Sequence, residues 1–331
     1  MSDEIMVSIS CITYNHQKYI RECLESLLMQ KTDFKYEILI HDDASTDRTS
    51  EIIEEYRKKY PDIIKPIFQK LNQYTQGIRQ INYNFNYTRA QGKYIAICEG
   101  DDYWTDSYKL KKQVDFMEKN PECTFNFHNA IVINEANTKK SRRVIPWLNE
   151  NKSFFYSQSR KYTSGELQLL GFIPTASFMF PKYVINNPPE WFLNAPVGDN
   201  SIKLLASSHG YAFYTNEDMC IYRFNVLNSE TTKWLIESKE VVIKRIDGFL
   251  TMLDAFNLYT DYKYEKDIEL SKLTWKVQKI INTGNNKKLK NEEYKKYLEI
   301  LPIFSQMKIF LFAYFPSGFK VIKKIKNLLR R

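Results

Sequence analysis

Glu99, Asp101 and Asp102 place three carboxylates within four residues, and the apolar run 94–98 (YIAIC) leads straight into them. Carboxylates at that density suit a hard divalent cation. Mg²⁺ or Mn²⁺ held by one or two of them commonly carries substrate phosphates on its remaining positions. A β-prone run ending in such a turn also says where the turn lies, because open α/β sheets bind ligands just beyond the carboxyl ends of their strands. The competing reading is an acidic turn with no ligand, since Asp and Gly are favoured in turns anyway. What decides between them is which other polar groups reach the same edge.

Two further apolar runs end in the same way. Residues 6–14 run into Thr13-Tyr14-Asn15, and residues 36–41 run into Asp42-Asp43. A carboxylate such as Asp43 can accept a hydrogen bond from a base N–H or a ribose hydroxyl, Thr13 and Tyr14 can line a base pocket, and Asp101 can hold a cation on a diphosphate. Each has an explanation in loop chemistry. Together, on one edge of one sheet, they point to a nucleotide. Other chemistries lack their motifs: there is no GxGxxG, GxxxxGK[ST] or GxSxG, and His16, His41, His128 and His209 form no HxH or HExxH pair.

The elements that must position these groups follow from periodicity. After the first strand, Ile20, Cys23, Leu24, Leu27 and Leu28 recur at helical spacing. After the second, Ser45, Thr46 and Asp47 are good N-caps for a helix ending at Pro61. Residues 63–68 read as a third strand, and a helix ending near Gln91-Gly92 precedes the central strand 94–98. Another helix spans about 109–120. The alternation predicts a parallel doubly wound α/β sheet over the first 120 residues.

Beyond it, residues 124–133 and 176–180 read as strands, 135–161 as a surface loop, and 164–166 as the opening of a short helix. Residues 199–208 read as a helix stopped at Gly210, 211–214 and 220–224 as two short strands, and everything after about Thr231 as helical.

The chain has 331 residues, 43% of them hydrophobic and 15% aromatic, enough for a sizeable core. Its five cysteines form no CxxC pair, and Cys11, Cys23 and Cys98 sit in apolar runs, as buried free thiols of a reducing compartment would. The acidic start of the chain reads as no signal peptide, so a cytoplasmic location is expected. Of the net charge of +9, the segment 301–331 carries seven basic residues and no acid, leaving +2 elsewhere. So nearly neutral a body argues against nucleic acid as a partner.

The segments ISCITYNHQKYIRECLESLLMQ, YEILIHDDASTDRT and AQGKYIAICEGDDYW, in this order, resemble the family 2 glycosyltransferases of GT-A fold, over roughly residues 5–228. The resemblance implies a GT-A domain at 1–228, Rossmann-like with a mostly parallel central sheet flanked by helices. A helical C-terminal region would follow at 229–331. It implies a nucleotide-sugar donor, with UDP expected, bound through Thr13, Tyr14, Asn15, Asp42, Asp43, Glu99, Asp101 and Asp102. Asp101 would be the ligand of Mn²⁺ or Mg²⁺, and Glu99 stands where the family more often has Asp. Val197-Gly198-Asp199-Asn200 resembles the segment that supplies the family's catalytic base, which makes Asp199 the base of an inverting transfer. The alternative for Asp199 is a helix N-cap. Tyr222-Arg223-Phe224-Asn225 resembles a Y-R-x-H segment with Asn225 in place of His. Arg223 is then expected on phosphate or on a structural carboxylate.

Tyr103 and Trp104 could stack on an acceptor sugar, or plug the edge of the core. Residues 307–331 interleave apolar and basic side chains, as a helix on an anionic membrane surface would; a helix docked on the body, or one that binds nucleic acid, is the competing reading. The acceptor is expected to be a hydroxyl of a growing surface polysaccharide or lipid-linked glycan, at the inner face of the cell membrane. Two rivals are a sugar-nucleotide nucleotidyltransferase and a sugar-nucleotide-binding protein without turnover. The first would normally carry a Gly-rich basic loop after strand one, where Tyr14-Asn15-His16-Gln17 stands instead.

Overall fold

The computed structural model describes residues 4–134, 141–145, 158–226, 229, 232 and 237–294. The chain divides into two compact units, Met1–Ile236 and Glu237–Arg331.

In the first unit the expected alternation is present: β1 (Ile5–Thr13), α1 (Ile20–Leu28), β2 (Lys35–Asp42), α2 (Thr49–Lys59), β3 (Ile64–Phe68), α3 (Ile81–Phe85) and β4 (Tyr94–Ile97). These four strands are parallel and lie side by side in the order β3-β2-β1-β4. Both faces are covered, so β1, β2 and β4 are buried over nearly their whole length, as parallel strands between helices must be. Helix α1 buries Ile20, Cys23, Leu24 and Leu27 on one face.

The chain continues through β5 (Tyr103–Trp104), α4 (Lys109–Lys119), β6 (Cys123–Asn134), β7 (Ser141–Arg143), β8 (Arg160–Tyr162), α5 (Ser164–Leu169), β9 (Met179–Pro181), α6 (Glu190–Leu193), α7 (Gly198–Ser208) and β10 (Tyr211–Phe224). Among the described residues all ten strands join one sheet, whose order runs on from β4 as β9-β6-β10-β5. Strand β9 is antiparallel to both β4 and β6, while β10 is parallel to β6 and antiparallel to the two-residue β5.

Four expectations change. The pair of short strands expected at 211–214 and 220–224 is one strand, β10, whose register against β6 slips between Thr215 and Cys220, where the sequence turns polar. The stretch 135–161, read as loop, contains β7, which pairs with β6, and the start of β8, which pairs with β10. The helix expected to reach Gly92 ends at Phe85, with a single 3₁₀ turn (Tyr87–Arg89) after it. Gly210 does not end α7 through left-handed backbone. A Cβ there would lie 2.1 Å from the Glu122 carbonyl, so the glycine permits close backbone contact.

In the second unit α8 (Lys239–Tyr259) is capped by Ser238, whose hydroxyl accepts the Val241 N–H, and α9 (Glu265–Thr283) ends at Gly284 with φ 74°. Phe249 stacks on Trp275 at 4.3 Å between ring centroids. Among the described residues no helix is long and apolar enough to cross a membrane. The expected membrane-binding segment, 307–331, lies outside the described residues.

Candidate active site

Strands β2, β1 and β4 are neighbours and parallel, so their carboxyl ends open on one edge. That edge collects Thr13, Tyr14 and Asn15 from β1, Asp42 and Asp43 from β2, and Glu99, Asp101 and Asp102 from the turn after β4. The β4 turn stays bonded to β1 past the last paired residue: the Cys98 N–H donates to the Ser10 carbonyl and the Gly100 N–H to that of Ile12, at 3.1 and 2.9 Å. Only glycine fits at position 100. A Cβ would stand 2.6 Å from Thr13 Oγ1 and 3.0 Å from His16 Nδ1.

Several expected donor residues have their polar atoms engaged in shaping the edge. Asn15 adopts left-handed backbone (φ 57°), and its Oδ1 accepts the Thr46 N–H at 2.7 Å. Asp42 is buried and accepts from the Ser45 hydroxyl and N–H. Burial raises its pKa, while the Ser45 bonds oppose the shift. Asp43 accepts the backbone N–H of Gln73 on Oδ1 at 2.7 Å and that of Tyr74 on Oδ2 at 3.1 Å, fastening the 72–74 loop over the edge. Each oxygen keeps a further lone pair for a ligand. Thr13 is buried against His16, and Tyr14 is half-buried.

The acidic turn is divided. Asp102 is 1% exposed; Oδ1 accepts the Arg223 N–H at 2.8 Å, and Oδ2 is buried without a hydrogen-bond partner. Burial, then the charges of Asp101 and Glu99, push its carboxyl well above the usual range. Asp101 is more accessible, and its Oδ2 lies 3.8 Å from His16 Nε2. Among the described residues no three His, Cys, Asp or Glu side chains converge as a metal cage. A single aspartate beside mutually repelling carboxylates nonetheless fits Mg²⁺ or Mn²⁺, which takes one or two protein carboxylates and completes its shell with phosphate oxygens and water.

Arg223 holds the turn from behind. Its guanidinium donates to the Asp101 carbonyl and to Glu22, and lies over the rings of Tyr103 and Tyr19 at 4.6 and 4.9 Å. The contact with Glu22 is a carboxylate partner, one of the two kinds expected for it. Trp104, expected at the acceptor, is 1% exposed. Its indole N–H donates to the Ala176 carbonyl at 2.8 Å, and the Lys109 ammonium lies 3.9 Å from the ring centroid. No sugar reaches that face, so Trp104 belongs to the core. Tyr103 is half-buried under Arg223.

Asp199 is not an N-cap. Helix α7 begins at Gly198 after Val197, and Asp199 lies within the first turn. Its Oδ1 accepts the Asn200 N–H at 2.7 Å. The residue keeps some surface, yet burial of the carboxylate raises its pKa, against the Asn200 N–H and the charge of Lys203. Lys203 is itself pushed down to about 8 by burial. The start of α7 is fixed by Gln80, whose Nε2 donates to the Phe192 carbonyl at 2.9 Å and to Ser201 Oγ at 3.2 Å. Burial, then the charges of Glu99 and Asp199, raise the pKa of the Tyr87 hydroxyl.

His16, which the sequence reading does not single out, lies beside Thr13 and Asp101 on this edge. Its only signal in the sequence is its place one residue beyond the Thr13-Tyr14-Asn15 strand end.

The family model described as "Glycosyl transferase family 2" matches residues 8–184, more than half the chain. An uncharacterized protein of Mycobacterium tuberculosis is 45% identical over 135 residues, 41% of this chain and 38% of that protein. The putative teichuronic acid biosynthesis glycosyltransferase TuaG of Bacillus subtilis is 34% identical over 122 residues, 37% of this chain and 45% of that protein. The chain thus spans less than half the length of these relatives. Among solved structures, S. aureus TarS 1–349 in complex with UDP-GlcNAc matches with TM-score 0.61 and 18% identity, over 93% of this chain and 81% of that one. A Pyrobaculum calidifontis mannosyltransferase in complex with GDP-Man and Mn²⁺ matches with TM-score 0.53 and 14% identity, over 100% of this chain and 89% of that one. These likenesses establish a GT-A fold.

Proposed function

The chain belongs to glycosyl transferase family 2, and from that premise we propose that it is an inverting, metal-dependent glycosyltransferase acting on a UDP-sugar. The observation that carries the reading is the shared edge of β2, β1 and β4, where groups suited to a nucleotide and to a cation meet. The UDP-GlcNAc bound to S. aureus TarS supports the choice of donor. The Mn²⁺ bound to the P. calidifontis enzyme supports the use of a divalent ion.

Thr13 and Tyr14 line the nucleotide's side of the edge. Asp43 receives the base or ribose through its remaining lone pairs while holding the 72–74 loop in place. Asp101 would hold Mn²⁺ or Mg²⁺, which when bound would stabilise the charge developing on the leaving phosphate. Asp199 takes the proton from an acceptor hydroxyl as its oxygen forms a bond to the sugar C1 and the bond from C1 to the diphosphate breaks on the opposite face. Configuration at C1 therefore inverts, and nucleoside diphosphate leaves.

The acceptor is a hydroxyl of a growing surface polysaccharide or lipid-linked glycan, in keeping with the teichuronic acid role in the name of TuaG. The enzyme works in the cytoplasm, at the inner face of the membrane, with the basic residues of 307–331 as the surface contact.

The test is a screen of nucleotide sugars with and without glycan acceptors, read by nucleoside diphosphate release and by the anomeric configuration of the product. Acceptor-stimulated release from a UDP-sugar with inversion is expected. Release from none of the donors, or retention at C1, would overturn the proposal.

A further inference from the structure

His16 follows directly on the strand end that lines the nucleotide, and both its ring nitrogens face polar atoms of the site. Nδ1 lies 3.1 Å from Thr13 Oγ1, and Nε2 lies 3.8 Å from Asp101 Oδ2. The two side chains that face each other across that gap are each only 12% exposed. The β4 turn approaches the ring closely, since a Cβ at residue 100 would lie 3.0 Å from His16 Nδ1 and 2.6 Å from Thr13 Oγ1.

At 3.8 Å, Nε2 and Oδ2 are too far apart for a hydrogen bond. They are well placed for something else. In the tautomer that donates Nδ1–H to Thr13 Oγ1, Nε2 turns a lone pair toward the carboxylate. A hydrogen bond from the far nitrogen is how metal-ligating histidines are commonly oriented. Two cis donors on an octahedral ion at about 2.1 Å each would stand about 3.0 Å apart, so a side-chain adjustment of about 1 Å would bring Nε2 and Oδ2 onto a single ion.

We propose that His16 is a second protein ligand of the divalent cation that Asp101 holds, and that it biases the site toward Mn²⁺ over Mg²⁺. This rests on the metal reading of Asp101 given above. It adds a nitrogen donor to an all-oxygen shell, and nitrogen donors favour transition metals over Mg²⁺, a hard ion that takes oxygen and keeps its waters. The Thr13 hydroxyl becomes the positioning group for the ring, which gives the strand-end threonine a task besides lining the nucleotide. Gly100 is what allows the three groups to meet.

The experiment uses the full chain with UDP as the probe nucleotide. Mn²⁺ binding is followed by the loss of the free-ion electron paramagnetic resonance signal, and Mg²⁺ affinity by competition. In the wild-type complex, electron spin-echo modulation should carry the signature of a directly bound imidazole nitrogen. His16→Ala should abolish that signature, weaken Mn²⁺ binding about tenfold or more, and leave Mg²⁺ affinity nearly unchanged, so that the Mn²⁺/Mg²⁺ preference collapses. Should His16→Ala fail to fold, as judged by circular dichroism, His16→Asn and the wild-type spin-echo spectrum give the same decision. Wild-type Mn²⁺ bound without imidazole modulation would overturn the assignment and leave His16 as an ion-pair partner of Asp101. Failure of wild-type protein with UDP to bind Mn²⁺ at all, or retention of binding in Asp101→Asn, would instead overturn the metal reading beneath it.

Discussion

Replacing Asp199 by Asn separates catalysis from structure, because the geometry limits what the change does to the fold. Asp199 does not cap α7: Val197 holds that position and makes no side-chain cap bond. The hydrogen bond its carboxylate accepts from the Asn200 N–H at 2.7 Å can be accepted equally by the amide oxygen of Asn. What the fold loses is a negative charge in the first turn of a helix, worth about 0.3–1 kcal/mol, and part of its attraction to Lys203. Burial already disfavours that charge, as the raised pKa records. The net change should therefore stay below about 1 kcal/mol, a shift of about 2–4 °C or less in Tm for a unit of this size. The chemistry loses its proton acceptor. General-base catalysis contributes about 10²–10⁴-fold, or about 2.7–5.4 kcal/mol of barrier. A thermal melt, calorimetry with UDP and a steady-state transfer assay should show near-normal Tm, unchanged UDP affinity and a kcat lower by that factor. The wild-type profile carries a second mark. The base must be ionised, so activity falls as pH drops through its pKa, and burial places this acid limb above the ordinary aspartate value. Asp199→Asn with most of its transfer rate intact would refute the assignment and move the base to another carboxylate.

Asp101→Asn should abolish Mn²⁺- or Mg²⁺-dependent turnover with little change in Tm; full activity of this variant, or of the wild type in EDTA, contradicts the metal role. Asp43→Ala strands the Gln73 and Tyr74 N–H groups as well as a nucleotide partner, so UDP affinity should fall by about 1–3 kcal/mol and amide exchange at 73–74 should quicken. Unchanged UDP binding by calorimetry would remove Asp43 from the nucleotide site. Gly100→Ala drives a Cβ against Thr13 and should cost about 1–3 kcal/mol of stability and weaken UDP binding; a variant normal in both measures would show that the close contact is not required. Trp104→Ala should destabilise the fold by about 3–5 kcal/mol through loss of a buried ring. A raised acceptor KM at unchanged Tm would instead restore Trp104 to the acceptor site.

The sheet edge was legible because parallel strands buried on both faces leave nearly continuous apolar runs, so β1, β2 and β4 announce themselves and the polar residues at their ends fall at one edge. What each polar residue does there was not legible. The partners of Asp43 stand thirty residues away in a loop without periodicity, and those of Arg223 lie about 120 and 200 residues away, on the β4 turn and α1. Strand β5 has two residues, too few for any period to show, yet its pairing with β10 buries Trp104. The placement of His16 beside Asp101 was not legible because it depends on how closely the β4 turn approaches β1, where Gly100 carries no side chain.

Among the three acids of the β4 turn, burial and hydrogen bonding assign different tasks to residues that the sequence presents as equivalents. Asp102 is the most enclosed, one oxygen held by the Arg223 N–H and the other buried without a partner, so its charge is the hardest to maintain and its pKa rises. A proton on Asp102 removes one of the adjacent like charges from the turn. The Arg223 guanidinium supports the same division from the other side. It grips the Asp101 carbonyl and leaves the carboxylate toward His16, while Glu22 and two aromatic rings occupy the rest of the cation. Arg223 reaches the turn from β10, which pairs with β6 at the far side of the sheet from β1. The part of the chain beyond the doubly wound half therefore sets how the acidic turn faces the edge, and a change at β10 reaches the ligand site through backbone bonds without touching a ligand.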